Sequence, residues 1–263
     1  MRLSPAGALV VVLLSSAFGA APAGEAVRGG QGVRRVEPPV PFRVGETLTY
    51  DVSWSSFVVA GTAVVRVQEK KPSLNSTVYA VVADGRPLPL VARIYALYYR
   101  IDSLIDSFTL LPQQTSLLSE EGDRRETTTT TFDRPARKAV FERRGETTEK
   151  REVNIPTQTQ DGLSTLFALR TMDLKPGAKV EMPVANDGEM FTVSISVSGA
   201  ERVRVPIGEM DALKLALTIL DASRQPVGQN IAIWLSTDAR RLPVKLQAQL
   251  PVGDFVLALK DAK

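Results

Sequence analysis

The sequence predicts an all-β protein: a strongly curved antiparallel sheet or open β-barrel-like domain, with one short helix packed on its concave side. Three observations predict it. Apolar and polar residues alternate with period two in segment after segment. Proline and glycine turn signals separate those segments at short intervals. Only one stretch, 161–170, holds a convincing helical period.

The elements follow in order. Leu48 to Trp54 alternates, so one face is buried, and Ala60-Gly61 is expected to break the run. Thr62–Gln68 resumes it with Ala63, Val65 and Val67 on one side, and Val78–Ala83 is a further strand. Between Pro87 and Asp106 a helical turn near 90–96 leads into a strand. The threonine run Thr127–Phe132 suits a pleated surface, and Asp133-Arg134-Pro135 turns it into Lys138–Arg143. Leu163, Leu166, Phe167 and Arg170 fall at helical spacing behind Thr159 or Asp161 as cap, and Lys175-Pro176-Gly177 lies beyond the end. This amphipathic helix is expected across one opening or face of the sheet. Five further strands follow around 191–197, 213–219, 231–235, 244–250 and 255–259. Pro206-Ile207-Gly208, Pro226-Val227-Gly228, Leu242-Pro243 and Pro251-Val252-Gly253 punctuate them.

The chain begins with Met1-Arg2, an apolar core at Leu9–Leu14, and Ala21-Pro22-Ala23, the pattern of a cleaved secretory signal. Residues 1–23 are therefore expected to be a signal peptide, 24–41 a disordered leader and 42–263 a single β domain. Of the 263 residues none is cysteine, so no lipobox exists and no disulfide supports the fold. A chain this long can bury a sufficient core without one. These features together predict a periplasmic protein that is not a lipoprotein, with no transmembrane segment in the mature chain.

Histidine is absent too. No side chain has an unperturbed pKa between pH 5 and 8, no thiolate or imidazole base is available, and no His/Cys metal site can form. No Walker loop, Gly-x-Ser-x-Gly elbow or Ser-x-x-Lys motif occurs. The expectation is a protein that is not an enzyme and needs no cofactor, with a carboxylate-dependent hydrolase as the minor alternative. Loss of Arg2 with the signal takes 32 basic and 29 acidic residues to a net charge of +2, which is no footprint for nucleic acid.

Four motifs recur in order: Phe42-x-x-Gly45-Glu46-x-Leu48-x-Tyr50-x-Val52-x-Trp54 with Ala60-Gly61; Asp102-Ser103-x-Ile105-Asp106 with Leu111-Pro112; Gln160-Asp161-Gly162-Leu163-Ser164-x-Leu166-x-x-Leu169-Arg170; and Ile233-Trp234-Leu235-Ser236-x-Asp238-x-x-Arg241-x-Pro243-Val244. Their order and spacing resemble the DUF3108 family of exported bacterial proteins, from about Phe42 to Leu259. The resemblance implies an all-β exported protein of uncharacterised role and assigns no catalytic residue. A looser, fold-level likeness is to the half-barrels of periplasmic lipoprotein-localisation carriers.

Candidate chemistry is sparse. Asp102 and Asp106 would sit roughly 13 Å apart on one strand, beyond either glycosidase spacing, so they read as solvated or turn-capping acids. Glu120-Glu121-x-Asp123 reads as a hairpin tip. Asn186-Asp187-Gly188-Glu189 is a faint calcium loop and a better plain turn. The aromatic and apolar residues say more. Tyr50 and Trp54 line an early strand, and Leu90, Ile94, Tyr95, Tyr98 and Tyr99 belong to an unusually apolar connector. Together with Leu166, Phe167 and Arg170 of the helix they form the candidate ligand-binding set. Arg170 would either hold a structural ion pair or meet an acidic head group at a cavity mouth. The expected function is a non-enzymatic periplasmic binding or carrier protein for an amphiphile: a lipid, acyl chain or glycolipid. The alternative is an envelope scaffold or polysaccharide-binding module whose partner is an envelope protein or glycan.

Overall fold

The computed structural model describes residues 36–55, 58–74, 76–93, 96–250 and 253–263. The expected signal peptide and most of the leader lie outside them. The described chain is one antiparallel sheet of 14 strands in the order β8-β7-β6-β5-β4-β3-β2-β1-β14-β13-β12-β11-β10-β9. Its first half comprises β1 (Thr47–Trp54), β2 (Val58–Ser73), β3 (Ser76–Pro87), β4 (Leu97–Asp106), β5 (Pro112–Glu121), β6 (Arg124–Asp133), β7 (Lys138–Arg144) and β8 (Thr148–Asn154). Its second half comprises β9 (Lys179–Asn186), β10 (Glu189–Val205), β11 (Gly208–Leu220), β12 (Gln229–Ser236), β13 (Pro243–Leu250) and β14 (Gly253–Ala262). Two meanders are thus joined where β1 pairs with β14. The helices are α1 (Pro89–Ala92) and α2 (Gly162–Thr171).

The ladder does not close between β8 and β9. One backbone bridge and a set of side chains span the seam. The Gln160 N–H donates to the Pro183 carbonyl at 2.8 Å, and the Ala185 N–H donates to the Gln160 carbonyl at 2.9 Å. Phe132, Ala139, Ile155 and Ala185 form a small apolar cluster there. Arg143 Nη2 donates to both carboxylate oxygens of Asp187 at 2.8 and 2.7 Å.

Helix α2 lies within the curl. Leu163 through Arg170 are all buried, so the helix is not the amphipathic element its spacing suggested. A helix enclosed on every side needs no polar face. Asp161, not Thr159, is its cap: the Ser164 N–H donates to Asp161 Oδ1 at 2.5 Å while the Asp161 N–H donates to Ser164 Oγ at 2.9 Å. The Thr159 hydroxyl instead donates to the Pro156 carbonyl at 2.7 Å.

Gly61 does not break its strand, because β2 runs through it. A Cβ there would stand 2.6 Å from the Arg86 carbonyl oxygen. The glycine permits close backbone approach rather than ending the run. The helical turn expected near 90–96 is Pro89–Ala92. The end of the expected leader rests on the barrel: Glu37 accepts from Lys70 and from the Ser107 hydroxyl, and Val40 packs on the core.

Strand direction sorts the connectors into two ends. The β1–β2, β3–β4 and β13–β14 connections share one end with Trp54, which pairs with Val58 and Phe255. Residues 36–46, the 106–112 turn and the 236–243 loop share the opposite end with Asp106 and Leu242.

Candidate functional site

Between α2 and the Trp54 end the sheet lines a cavity of about 140 Å³. Its wall draws on both meanders: Tyr50, Ala63, Val65, Ala83, Tyr99 and Ile101 from one, Val184, Val193, Leu217, Leu246, Ala248 and Leu257 from the other. The first turns of α2 supply Leu163, Thr165 and Leu166. The space arises from side-chain size. Ala63 is paired across strands with Tyr50 and Gly85, and Ala83 with Val65 and Ile101. Alanine and glycine at adjacent inward positions leave room that Val or Leu would fill.

Three polar side chains at this wall have partners within the protein. The Tyr50 hydroxyl donates to the Pro243 carbonyl at 2.8 Å, and burial pushes its pKa up, so it stays protonated. Tyr99 hydrogen-bonds Glu121. Asp84 takes a 2.7 Å bond from Arg66.

The predicted site residues divide. Tyr50, Tyr99 and Leu166 line the cavity. Trp54 and Leu90 stand exposed at the nearby end. Ile94 and Tyr95 lie outside the described residues. Tyr98 alternates with Tyr99 along β4, and the Arg86 guanidinium stacks on its ring at 4.7 Å. Phe167 sits at the opposite end, which residues 36–46 and the 236–243 loop close, edge-on to Phe42 with centroids 4.8 Å apart, and does not line the cavity.

Arg170 belongs to that closed end as well, not to a cavity mouth. It is fully buried and donates to Glu46 Oε1 at 2.6 Å and Oε2 at 3.0 Å. It also donates to the Arg240 carbonyl at 3.1 Å and lies 5.4 Å from the Phe42 and Phe167 ring centroids. Of the two roles considered for it, the geometry holds the ion pair. Glu46, 124 positions away, carries no local signal that would mark it as the partner.

A second space of about 30 Å³ lies across Leu163, with Thr115, Thr128, Thr130, Asp161 and Asp187 beside Ile101 and Leu117 in its wall. It has room for about two waters. Asp161 accepts the Ser103 hydroxyl at 2.8 Å and the Thr115 hydroxyl, so helix cap and sheet are tied together here.

The acids considered for catalysis are engaged structurally. Asp102 accepts from Arg100 at 2.8 and 2.7 Å. Asp106 caps the following turn through the Phe108 and Thr109 N–H groups, both at 3.0 Å. Glu120 and Glu121 lead into the β5–β6 hairpin tip at Gly122. Asp187 and Gly188 have φ of 51° and 77°, a two-residue hairpin turn, and the Asp187 carboxylate is taken by Arg143.

One of the similar solved structures agrees with the fold. A β-barrel-like protein of the DUF1849 family from Brucella abortus aligns with TM-score 0.51 at 9% identity, covering 84% of this chain and 97% of that one. A protein with YmcC-like fold from Bacteroides fragilis, predicted to be exported, aligns at 0.32 with 12% identity over 85% and 98% of the two chains. A predicted lipoprotein from Parabacteroides distasonis aligns at 0.36 with 10% identity over the same shares. No curated protein matches. The profile of a protein family of unknown function matches residues 49–260, and with the barrel and its four motifs in place the chain belongs to that family, DUF3108.

Proposed function

We propose that this protein is a non-enzymatic binding or carrier protein for an amphiphile in the periplasm, holding one apolar chain inside the barrel. The apolar cavity of about 140 Å³ carries the reading. Its size defines the cargo. Sites for whole drug-sized ligands measure roughly 300–1,000 Å³. An engineered apolar cavity of about 150 Å³ accepts benzene. The barrel therefore takes the end of a single acyl chain, and the head group stays outside. The signal-like pattern at 1–23 supports the periplasmic address. The wall offers no convergent acid and base, which favours binding over turnover.

Native mass spectrometry tests this on the full chain, exported by a Gram-negative host and purified without detergent. The expected spectrum shows a lipid adduct that Ala83→Phe removes by filling the cavity. A bare mass, together with no uptake of a fluorescent fatty acid by the purified protein, overturns the proposal.

A further inference from the structure

The end of the barrel next to the cavity carries an unusual segment, Arg86-Pro87-Leu88-Pro89-Leu90-Val91-Ala92-Arg93. Leu90 is 72% exposed and Leu88 36%. Pro87 and Pro89 restrict the backbone on either side of Leu88, and both leucines stand outward. The segment is fixed to the wall: the Leu88 N–H donates to the Ala60 carbonyl at 2.8 Å. Val59 beside that anchor is 41% exposed, and Trp54, at the end of the adjoining strand, is 51% exposed. Four large apolar side chains thus emerge from neighbouring pieces of chain at one end of the molecule.

The flanking charges identify what they meet. Among the described residues neither Arg86 nor Arg93 has an acidic partner within ion-pair distance. Most other arginines on this barrel are paired with carboxylates, often two residues along the same strand or across to a neighbour. An apolar segment between two guanidinium groups that have no carboxylate partner, Arg86 stacked on Tyr98 and Arg93 exposed, suits a surface with anionic phosphates above and hydrocarbon beneath. Arginine can extend its head to the phosphates while its stem remains with the apolar residues. Tryptophan at the margin suits the same boundary. A protein partner would need acids facing both arginines and a pocket for each leucine, whereas a lipid surface supplies both chemistries without any specific shape.

We infer that this end docks on the surface of an anionic phospholipid bilayer, with Leu88, Leu90 and Trp54 entering the interface and Arg86 and Arg93 meeting phosphates. The inference does not rest on a ligand in the cavity, although docking there would place the cavity nearest the source of an acyl chain.

The full mature chain and vesicles of phosphatidylglycerol and phosphatidylethanolamine test it. Co-sedimentation is expected, weaker on pure phosphatidylcholine vesicles and weaker in high salt. Trp234 is buried, so a blue shift of tryptophan emission on binding reports Trp54, and Trp54→Phe should abolish the shift. Leu88→Asp and Leu90→Asp, at exposed positions, should each weaken vesicle binding by about tenfold. Arg93→Glu should reduce binding to anionic vesicles alone. Absence of co-sedimentation overturns the inference. So does undiminished binding by the Leu88→Asp/Leu90→Asp variant whose circular dichroism matches the parent. Fatty acid uptake by that variant, measured without vesicles, reads the cavity separately, so failure of docking and failure of the carrier reading are distinguishable.

Discussion

Arg170 and Glu46 form a doubly hydrogen-bonded ion pair inside the closed end of the barrel, with side chains 0% and 4% exposed. The pair ties α2 to the chain entering β1, and the Arg240 carbonyl brings in the loop before β13. Three distant segments meet on one guanidinium. Removing either partner strands a buried charge. Glu46→Leu or Arg170→Met is expected to cost about 3–5 kcal/mol, and the double variant Glu46→Leu/Arg170→Met less than the sum. Urea unfolding of the four proteins measures the coupling; additive losses would show that the two side chains act independently.

Asp161 serves both helix and sheet. Asp161→Ala should lose about 1 kcal/mol for the cap and a further 1–3 kcal/mol for the hydroxyls left without an acceptor, Ser103 above all. Asp161→Asn keeps an acceptor for Ser164 and should lose less. Equal losses for the two variants, by thermal or chemical unfolding, would contradict the division of labour described for this residue.

Asp106 predicts an acid limb. Burial alone would raise its pKa, but the Ser76 hydroxyl, the backbone N–H groups of Thr109 and Phe108 and the Thr109 hydroxyl outweigh it and hold the carboxyl below its ordinary value. The folded state therefore holds this proton less tightly than the unfolded chain. Its contribution is present above the unfolded value of about 3.9 and is lost as pH falls through the lower folded value. The stability difference between the parent and Asp106→Asn should be largest near neutral pH and shrink toward pH 3. A difference that is flat with pH would assign the loss to something other than the carboxylate.

The seam gives a local prediction. Asp187→Asn weakens the contact with Arg143, and Gly188→Ala forces a side chain into a φ of 77° with its Cβ 3.3 Å from the Phe141 ring and the Arg151 stem. Both should speed amide exchange in β7 and β8 while leaving β1 and β14 protected. Uniform acceleration across the barrel would mean that the seam unfolds only with the whole molecule.

Period-two alternation made most of the second meander legible, because its inward side chains are apolar and its outward ones polar, as in Phe191–Ser198. The same signal is missing from β5 and β8. In β8 both faces carry charge, Glu149, Arg151 and Glu152 among them, because this strand is the margin of the sheet and its charges are held in ion pairs there. The helix and its cap were readable because both are local. The Glu46 partner of Arg170 was not, since nothing within a turn or a strand reports a contact spanning most of the first two-thirds of the chain. The cavity was equally opaque: its cause is the small size of Ala63 and Ala83, which becomes visible only when register sets them beside one another.

A fully hydrogen-bonded cylinder has its girth dictated by strand number and stagger. Here Gln160 and a handful of side chains fasten two opposing margins, as a clasp fastens a bracelet. The inner diameter of such a wall answers to what those few contacts tolerate. Widening it would require parting Arg143 from Asp187 and releasing one bridge, with all thirteen ladders left whole.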